Sequence, residues 1–346
     1  MNINELLKQA RSEGATYLHI VPGAVPKERV SGEIRNIGNE IIKPADVETA
    51  LEELFPGKED IKNEPLGYSV YGEGRYTVNI QTQRSTRYLV IDILYENIES
   101  PEALHIPEQI LNVSTRKKGL ILVTGPRLSG RSTTIVSIIK EISQNRACNV
   151  YTIEDPIRYT LKHGNGMVIQ KEKGIDYDDP YKALQDAAAS DADVILIEKL
   201  NDANLIELAL ELAEEGRLIL SQVTGTDAQS VLSRLLEYIP EGSKNRVARQ
   251  LGRTINTIIS QRLIAEADGT YIPAFELMHC NRNVRAKLKD GQFTNLENYC
   301  IEFSKSSNRL DDYIYDMYDK GLITAESAIN NARDFKKMKE RCQSRA

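Results

Sequence analysis

The stretch GLILVTGPRLSGRSTT, positions 119–134, constrains the fold more than any other part of the chain. An unbroken apolar run ends in a turn marked by Gly125 and Gly130, and a helix-like segment opens at Ser132. A strand that is apolar at every position needs cover on both faces, which a parallel sheet wrapped by helices provides. Downstream, TTIVSIIKEIS, NVYTIEDP, YKALQDAAAS, ADVILIEK, ANLIELALELAEEG and RLILSQVTG alternate helical and strand patterns. That rhythm predicts an α/β core with a mostly parallel sheet over residues 119–275.

The turn is nearly a phosphate-binding loop. In the pattern G-x-x-x-x-G-K-[S/T], glycines let backbone N–H groups curl around phosphates, lysine reaches the terminal phosphates and the hydroxyl holds Mg²⁺. Gly125, Gly130, Ser132 and Thr133 keep this frame, and Arg131 stands where lysine belongs. In ADVILIEKLND, the apolar run Val194 to Ile197 leads into Glu198, where a second strand delivers an acid beside such a loop.

Residues 1–98 read as a small α+β domain. NINELLKQARSEG spaces Ile3, Leu6, Leu7 and Ala10 for one helix face, while GRYTVNIQTQ and TRYLVIDILY read as strands. Residues 99–118, with two prolines and mixed charge, read as a linker, and residues 276–346 as a polar helical region. The net charge of −6 gives no cationic excess for a nucleic-acid partner. The N-terminus lacks an apolar signal core and no run reaches the roughly 18 apolar residues of a membrane span, so a cytoplasmic protein is expected. Cys148, Cys280, Cys300 and Cys342, and the histidines at 19, 105, 163 and 279, show no metal-site spacing.

The order of segments resembles the type II/type IV secretion ATPases, and within them the PilT-like type IV pilus retraction ATPases of twitching motility. The resemblance runs over nearly the whole chain. It is carried by ATYLHI, GRYTVN, GLILVTGP, VYTIEDPI, ISQRLI and YDKGLITAESA, and more loosely by NVRAKLKDG at 283–291. It implies an N-terminal PAS-like domain, a RecA-like core that takes ATP or ADP, and a cytoplasmic hexamer acting on a membrane-embedded platform protein of the pilus. It further implies phosphate contacts from Arg75 and Arg84, Mg²⁺ on Ser132, and Glu154 of the IEDP box as activator of the attacking water.

Several positions depart from the family pattern. Where members read G-P-T-G-S-G-K-S-T-T, this chain has Leu128 for a glycine and Arg131 for the lysine. Arginine keeps the charge but is longer, planar and forked, so it does not reproduce a compact ammonium between phosphates. The family ends the second strand in Gly-Glu; here stand Glu198 and Lys199, so a catalytic carboxylate has become a cation unless Glu198 serves as a shifted metal acid. Thr224 occupies the family's histidine position, and Gln185 and Ala189 replace two arginines. General-base action contributes about 10²–10⁴-fold, so a retained Glu154 does not offset these losses.

The expectation is a nucleotide-binding pseudo-ATPase acting as a ring subunit or regulator beside an active PilT-like paralogue. The alternatives are an active hexameric retraction motor and a scaffold that ignores nucleotide. Apolar stripes in ANLIELALELAEEG and in the segment after residue 275 are expected to serve ring contacts between subunits.

Overall fold

A computed structural model describes residues 2–30, 32–58, 61, 63, 65–70, 74–94, 98–266, 270–290 and 309–344. They form two compact units: residues 1–97 with 155–161 and 171–178, and residues 98–154 with 162–170 and 179–346.

In the first unit, helix α1 (Ile3–Ser12) starts at Asn2, whose side chain accepts from the Glu5 amide at 3.2 Å, as an N-cap residue should. Ile3, Leu7 and Ala10 recur at helical spacing and are buried. Strands β1 (Tyr17–Ile20), β2 (Lys27–Val30) and β3 (Glu33–Asn36), helix α2 (Pro44–Leu54), and strands β4 (Pro65–Val70), β5 (Gly74–Gln83) and β6 (Thr86–Leu94) follow. The sheet order is β3-β2-β1-β6-β5-β4. Tyr76, Val78 and Ile80 of β5 alternate inward, as do Leu89, Ile91 and Ile93 of β6, and one core joins them to both helices. A two-residue turn links β5 to β6, with Gln83 opposite Thr86 and Arg84 and Ser85 at φ of 49° and 62°. Two successive positive φ values give the turn the right-handed strand twist demands, although neither residue is the usual Asn or Gly.

The second unit begins with a short helix α3 (Glu108–Leu111) and a 3₁₀ turn (Asn112–Thr115). Ile106, Ile110 and Val113 are buried, so much of the expected linker is packed structure within this unit. Alternating elements follow: β7 (Gly119–Gly125), α4 (Arg131–Asn145), β8 (Asn149–Glu154), β9 (Met167–Glu172, its last two residues counted with the first unit), α5 (Pro180–Ala189), β10 (Val194–Lys199), α6 (Ala203–Glu215) and β11 (Leu218–Thr224). The chain continues through α7 (Ala228–Glu237), α8 (Glu241–Thr254), β12 (Ile255–Ala265), β13 (Tyr271–His279) and α9 (Arg282–Lys289). The sheet order is β13-β12-β7-β11-β10-β8-β9. β7 pairs in parallel with β11 and β12, and β10 in parallel with β8 and β11. Every residue of β7 is buried, as an inner strand covered on both faces requires. The β12–β13 pair is antiparallel, an edge hairpin that the helix–strand rhythm did not signal.

Helices Leu310–Asp319, Ala325–Asn331 and Phe335–Gln343 close the chain. Leu310, Ile314, Met317 and Met338 pack with Ile264, Ile272 and Ala274 of the edge hairpin. In α6, Leu205, Ile206, Ala209, Leu210, Leu212 and Ala213 are likewise buried in the single chain. Among the described residues, the stripes of α6 and of the last three helices are therefore occupied by the subunit's own core, because these helices already cover a sheet or hairpin face. No helix among the described residues is long and apolar enough to cross a membrane.

Candidate functional site

Parallel pairing explains how boxes far apart in sequence meet. Strands running the same way end at the same edge, and in α/β sheets ligands collect beyond the carboxyl ends. Gly125 at the end of β7 stands opposite Thr224 at the end of β11. Lys199 of β10 stands opposite Gln222, and Ile197 opposite Ile153, one residue before Glu154. Register alone thus brings the phosphate-loop, acidic-box and second-strand segments to one edge of the second unit.

The loop between β7 and α4 is shaped by its glycines. Gly125 has φ of 158°, and a Cβ there would lie 2.3 Å from the Gln261 carbonyl oxygen. Gly130 caps α4 at φ of 82°, and a Cβ there would lie 2.8 Å from the Gln261 amide nitrogen. Gln261 is buried and accepts from Thr134 Oγ1 at 2.7 Å, which fastens the first turn of α4 to β12. Gln261 belongs to ISQRLI, and its role here was not legible from sequence. Leu128 takes the glycine position with φ of 62° and its side chain 90% exposed, so the loop keeps a left-handed residue without glycine's tolerance.

No side chain caps α4, whereas α5, α6 and α7 are capped by Asp179, Asp202 and Asp227. The amides of its first turn and its positive dipole end suit an anion. Ser129 Oγ in the same loop is buried without a partner. These features fit a phosphate group.

The side chains diverge from an ordinary site. Arg131 Nη1 donates to Thr224 Oγ1 at 3.2 Å, joining the start of α4 to the end of β11. The Gln222 amide donates to Ser132 Oγ at 3.2 Å, so the hydroxyl expected to hold Mg²⁺ already has a neutral partner. The β10–β11 register slips between Ile197 and Lys199. A bulge breaks the alternation of faces, and both Glu198 and Lys199 line a cleft of about 240 Å³ with Arg131, Gln222, Thr224 and Arg234. Among the described residues no group of three His, Cys, Asp or Glu side chains could hold a metal ion. Three cations, Arg131, Lys199 and Arg234, against one carboxylate, Glu198, give the cleft a lining that suits phosphate. Arg234, on α7, was not singled out by the sequence; nothing in AQSVLSRLLE marks it apart from an ordinary last-turn cation.

Glu154 is buried and accepts from Thr152 Oγ1 at 2.7 Å and Gln170 Nε2 at 3.0 Å, bonds that fix its carboxylate at the end of β8. Thr133 lies in the first turn of α4 and its carbonyl accepts from Ser137 Oγ at 2.9 Å. Gln185 and Ala189 lie on α5.

Arg75 and Arg84 belong to the first unit, at opposite ends of β5, so roughly 30 Å of strand separates them. Arg75 Nη2 donates to Glu172 at 2.6 Å in that unit, and burial pushes the Glu172 carboxyl up despite this partner. Arg84 is an exposed turn residue. The segment NVRAKLKDG forms most of α9, which buries Val284 and Leu288; Gly291 lies outside the described residues.

A family model described as "Type II/IV secretion system protein" matches residues 90–319. The type IV pilus retraction ATPase PilT of Pseudomonas aeruginosa is 28% identical over 96% of this chain and 98% of its own length. The type IV pilus ATPase PilU of the same organism is 26% identical over 96% of this chain and 89% of its own length. A crystal structure of the pilus retraction motor PilT with bound ADP superposes with a TM-score of 0.88 at 30% identity, covering 97% of this chain and 98% of that one. The architecture is that of a small PAS-like N-terminal domain, a RecA-like core and a helical C-terminal region. The chain belongs to the type II/IV secretion system protein family, as a PilT-like member of it.

Proposed function

We propose that this protein binds ATP or ADP at the β7–α4 loop, hydrolyses it weakly or not at all, and acts as a ring subunit or regulator of type IV pilus retraction. The observation that carries the proposal is the cleft beside the loop, where Arg131 and Lys199 stand at the family's lysine and glutamate positions and Arg131 is tied to Thr224. Binding is supported by the uncapped N-terminus of α4 and by Gly125 and Gly130, beside which Gln261 leaves no room for a Cβ. Gly125, Gly130, Arg131, Ser132 and Thr133 would hold the phosphates. A solved PilT relative carries ADP.

Loss of turnover is supported by charge. A transferring phosphoryl group is stabilised by groups already aimed at its developing charge, and a water or metal must be held by a carboxylate. Lys199 has the wrong sign for that task. Glu154 remains to orient a water, and Glu198 is the residue on which an active-motor reading would rest, since it lines the same cleft.

A hexamer, alone or mixed with an active PilT-like partner and working at the cytoplasmic face on the pilus platform protein, follows from the same reading. Mixing tests it. Mass photometry should find rings containing both chains, and the partner's ATPase rate should fall as this protein is titrated in. Separate species with an unchanged rate would overturn the regulatory role.

A further inference from the structure

We infer that the cleft at the ends of β10 and β11 takes the terminal phosphates of a nucleoside triphosphate without a divalent cation, Lys199 and Arg234 supplying the positive charge that magnesium otherwise carries. The inference rests on the nucleotide-binding reading above and deepens it. Three cations, Arg131, Lys199 and Arg234, line the cleft with one carboxylate, Glu198. Their surplus is two positive charges, the charge of one magnesium ion. A lysine and a glutamate at the corresponding family positions would cancel, leaving the metal to neutralise the phosphates.

Three further features favour a metal-free ligand. The slip in the β10–β11 register brings Lys199 to the cleft beside Glu198 instead of turning it to the opposite face. Ser132 Oγ, the hydroxyl a P-loop magnesium would use, is engaged by the Gln222 amide. Glu198 is the one carboxylate among the residues lining the cleft, where Arg131, Lys199 and Arg234 stand with it. The cleft of about 240 Å³ has roughly the volume of eight water molecules, enough for one or two phosphoryl groups. Arg234 Nη1 reaches the Thr224 carbonyl at 3.4 Å, which orients its guanidinium beside Arg131.

Isothermal calorimetry with ATP, once in EDTA and once in excess magnesium, tests the inference on the full chain. The dissociation constants in the two buffers should agree within about threefold, because the protein's own cations already supply the two positive charges that magnesium would bring. Lys199→Glu should weaken binding in EDTA by about tenfold or more and restore a preference for magnesium, since one substitution removes two units of positive charge. Lys199→Met and Arg234→Met, which remove one charge each, carry the same test with a smaller loss should Lys199→Glu fail to fold by circular dichroism. Binding in magnesium alone would overturn the inference and leave the nucleotide-binding reading standing. Binding in EDTA that Lys199→Glu, Lys199→Met and Arg234→Met all leave unchanged would also overturn it. Absence of binding in both buffers at millimolar ATP would overturn the nucleotide-binding reading and this inference with it.

Discussion

Arg333→Leu should lower the thermal midpoint by roughly 6–12 °C. Glu276 of β13 is only 5% exposed at its side chain and accepts from Arg333 Nη1 at 2.6 Å and Nη2 at 2.9 Å. Its other partners, Ser260 Oγ and the Leu310 amide, both stand at 3.4 Å and cannot satisfy the carboxylate alone. Arg333 also donates to the Thr226 carbonyl at 3.1 Å, so one guanidinium ties the edge hairpin to the chain after β11. Breaking a buried pair by removing one member costs about 3–5 kcal/mol, since a charge is left without compensation. The arginine is 28% exposed and water can reach the gap, which places the cost near the lower end, about 3 kcal/mol. In a unit of this size each kcal/mol moves the midpoint by roughly 2–4 °C. Differential scanning calorimetry of Arg333→Leu, Glu276→Leu and the double variant is the assay. The double variant should be less destabilised than the sum by about 2 kcal/mol, because neither charge is then orphaned. A shift below about 2 °C for Arg333→Leu, or strict additivity, would refute the reasoning.

Two other perturbations have defined outcomes. Leu128→Gly should stabilise the protein slightly, by up to about 1 kcal/mol, because a residue 90% exposed loses no packing while the φ of 62° is relieved; a loss of stability in urea unfolding would show that Leu128 is held by contacts. Asp227 opposes the desolvation of its partly buried carboxyl by bonds from Ser230 and Thr226, which hold it below its ordinary value of 3.8. Its stabilising effect is then full above pH 3.8 and is lost as pH falls through the lowered folded value. Asp227→Ala should cost about 1 kcal/mol at neutral pH and progressively less in acid, and a pH-independent difference in urea unfolding would contradict this assignment.

How much could be read from the sequence differs between backbone and side chains. The alternation of apolar runs and helical periods marked β7, β8, β10, β11 and the helices between them, because a fully buried strand and an amphipathic helix leave distinct patterns. β9 and the β12–β13 hairpin were not marked, as MVIQKE has no clean period and an edge hairpin depends on which strands it meets. Arg131, Lys199 and Thr224 were visible as departures at single positions. Their convergence with Arg234 and Gln222 was not, since strand register brings them together and no local spacing encodes it. The apolar stripe of α6 could not tell a subunit core from a ring face; the buried Leu205, Leu210 and Leu212 assign it to the core.

The most direct measurement is occupancy and turnover of ATP on one purified sample. Calorimetry should give a saturable binding isotherm, and phosphate release at saturating ATP and magnesium should stay at background, because Arg131 and Lys199 are proposed to stand where hydrolysis would use a lysine and a glutamate. A magnesium-dependent release rate well above background, abolished by Ser132→Ala, would contradict the loss of turnover and make Glu198 the acid of a working motor.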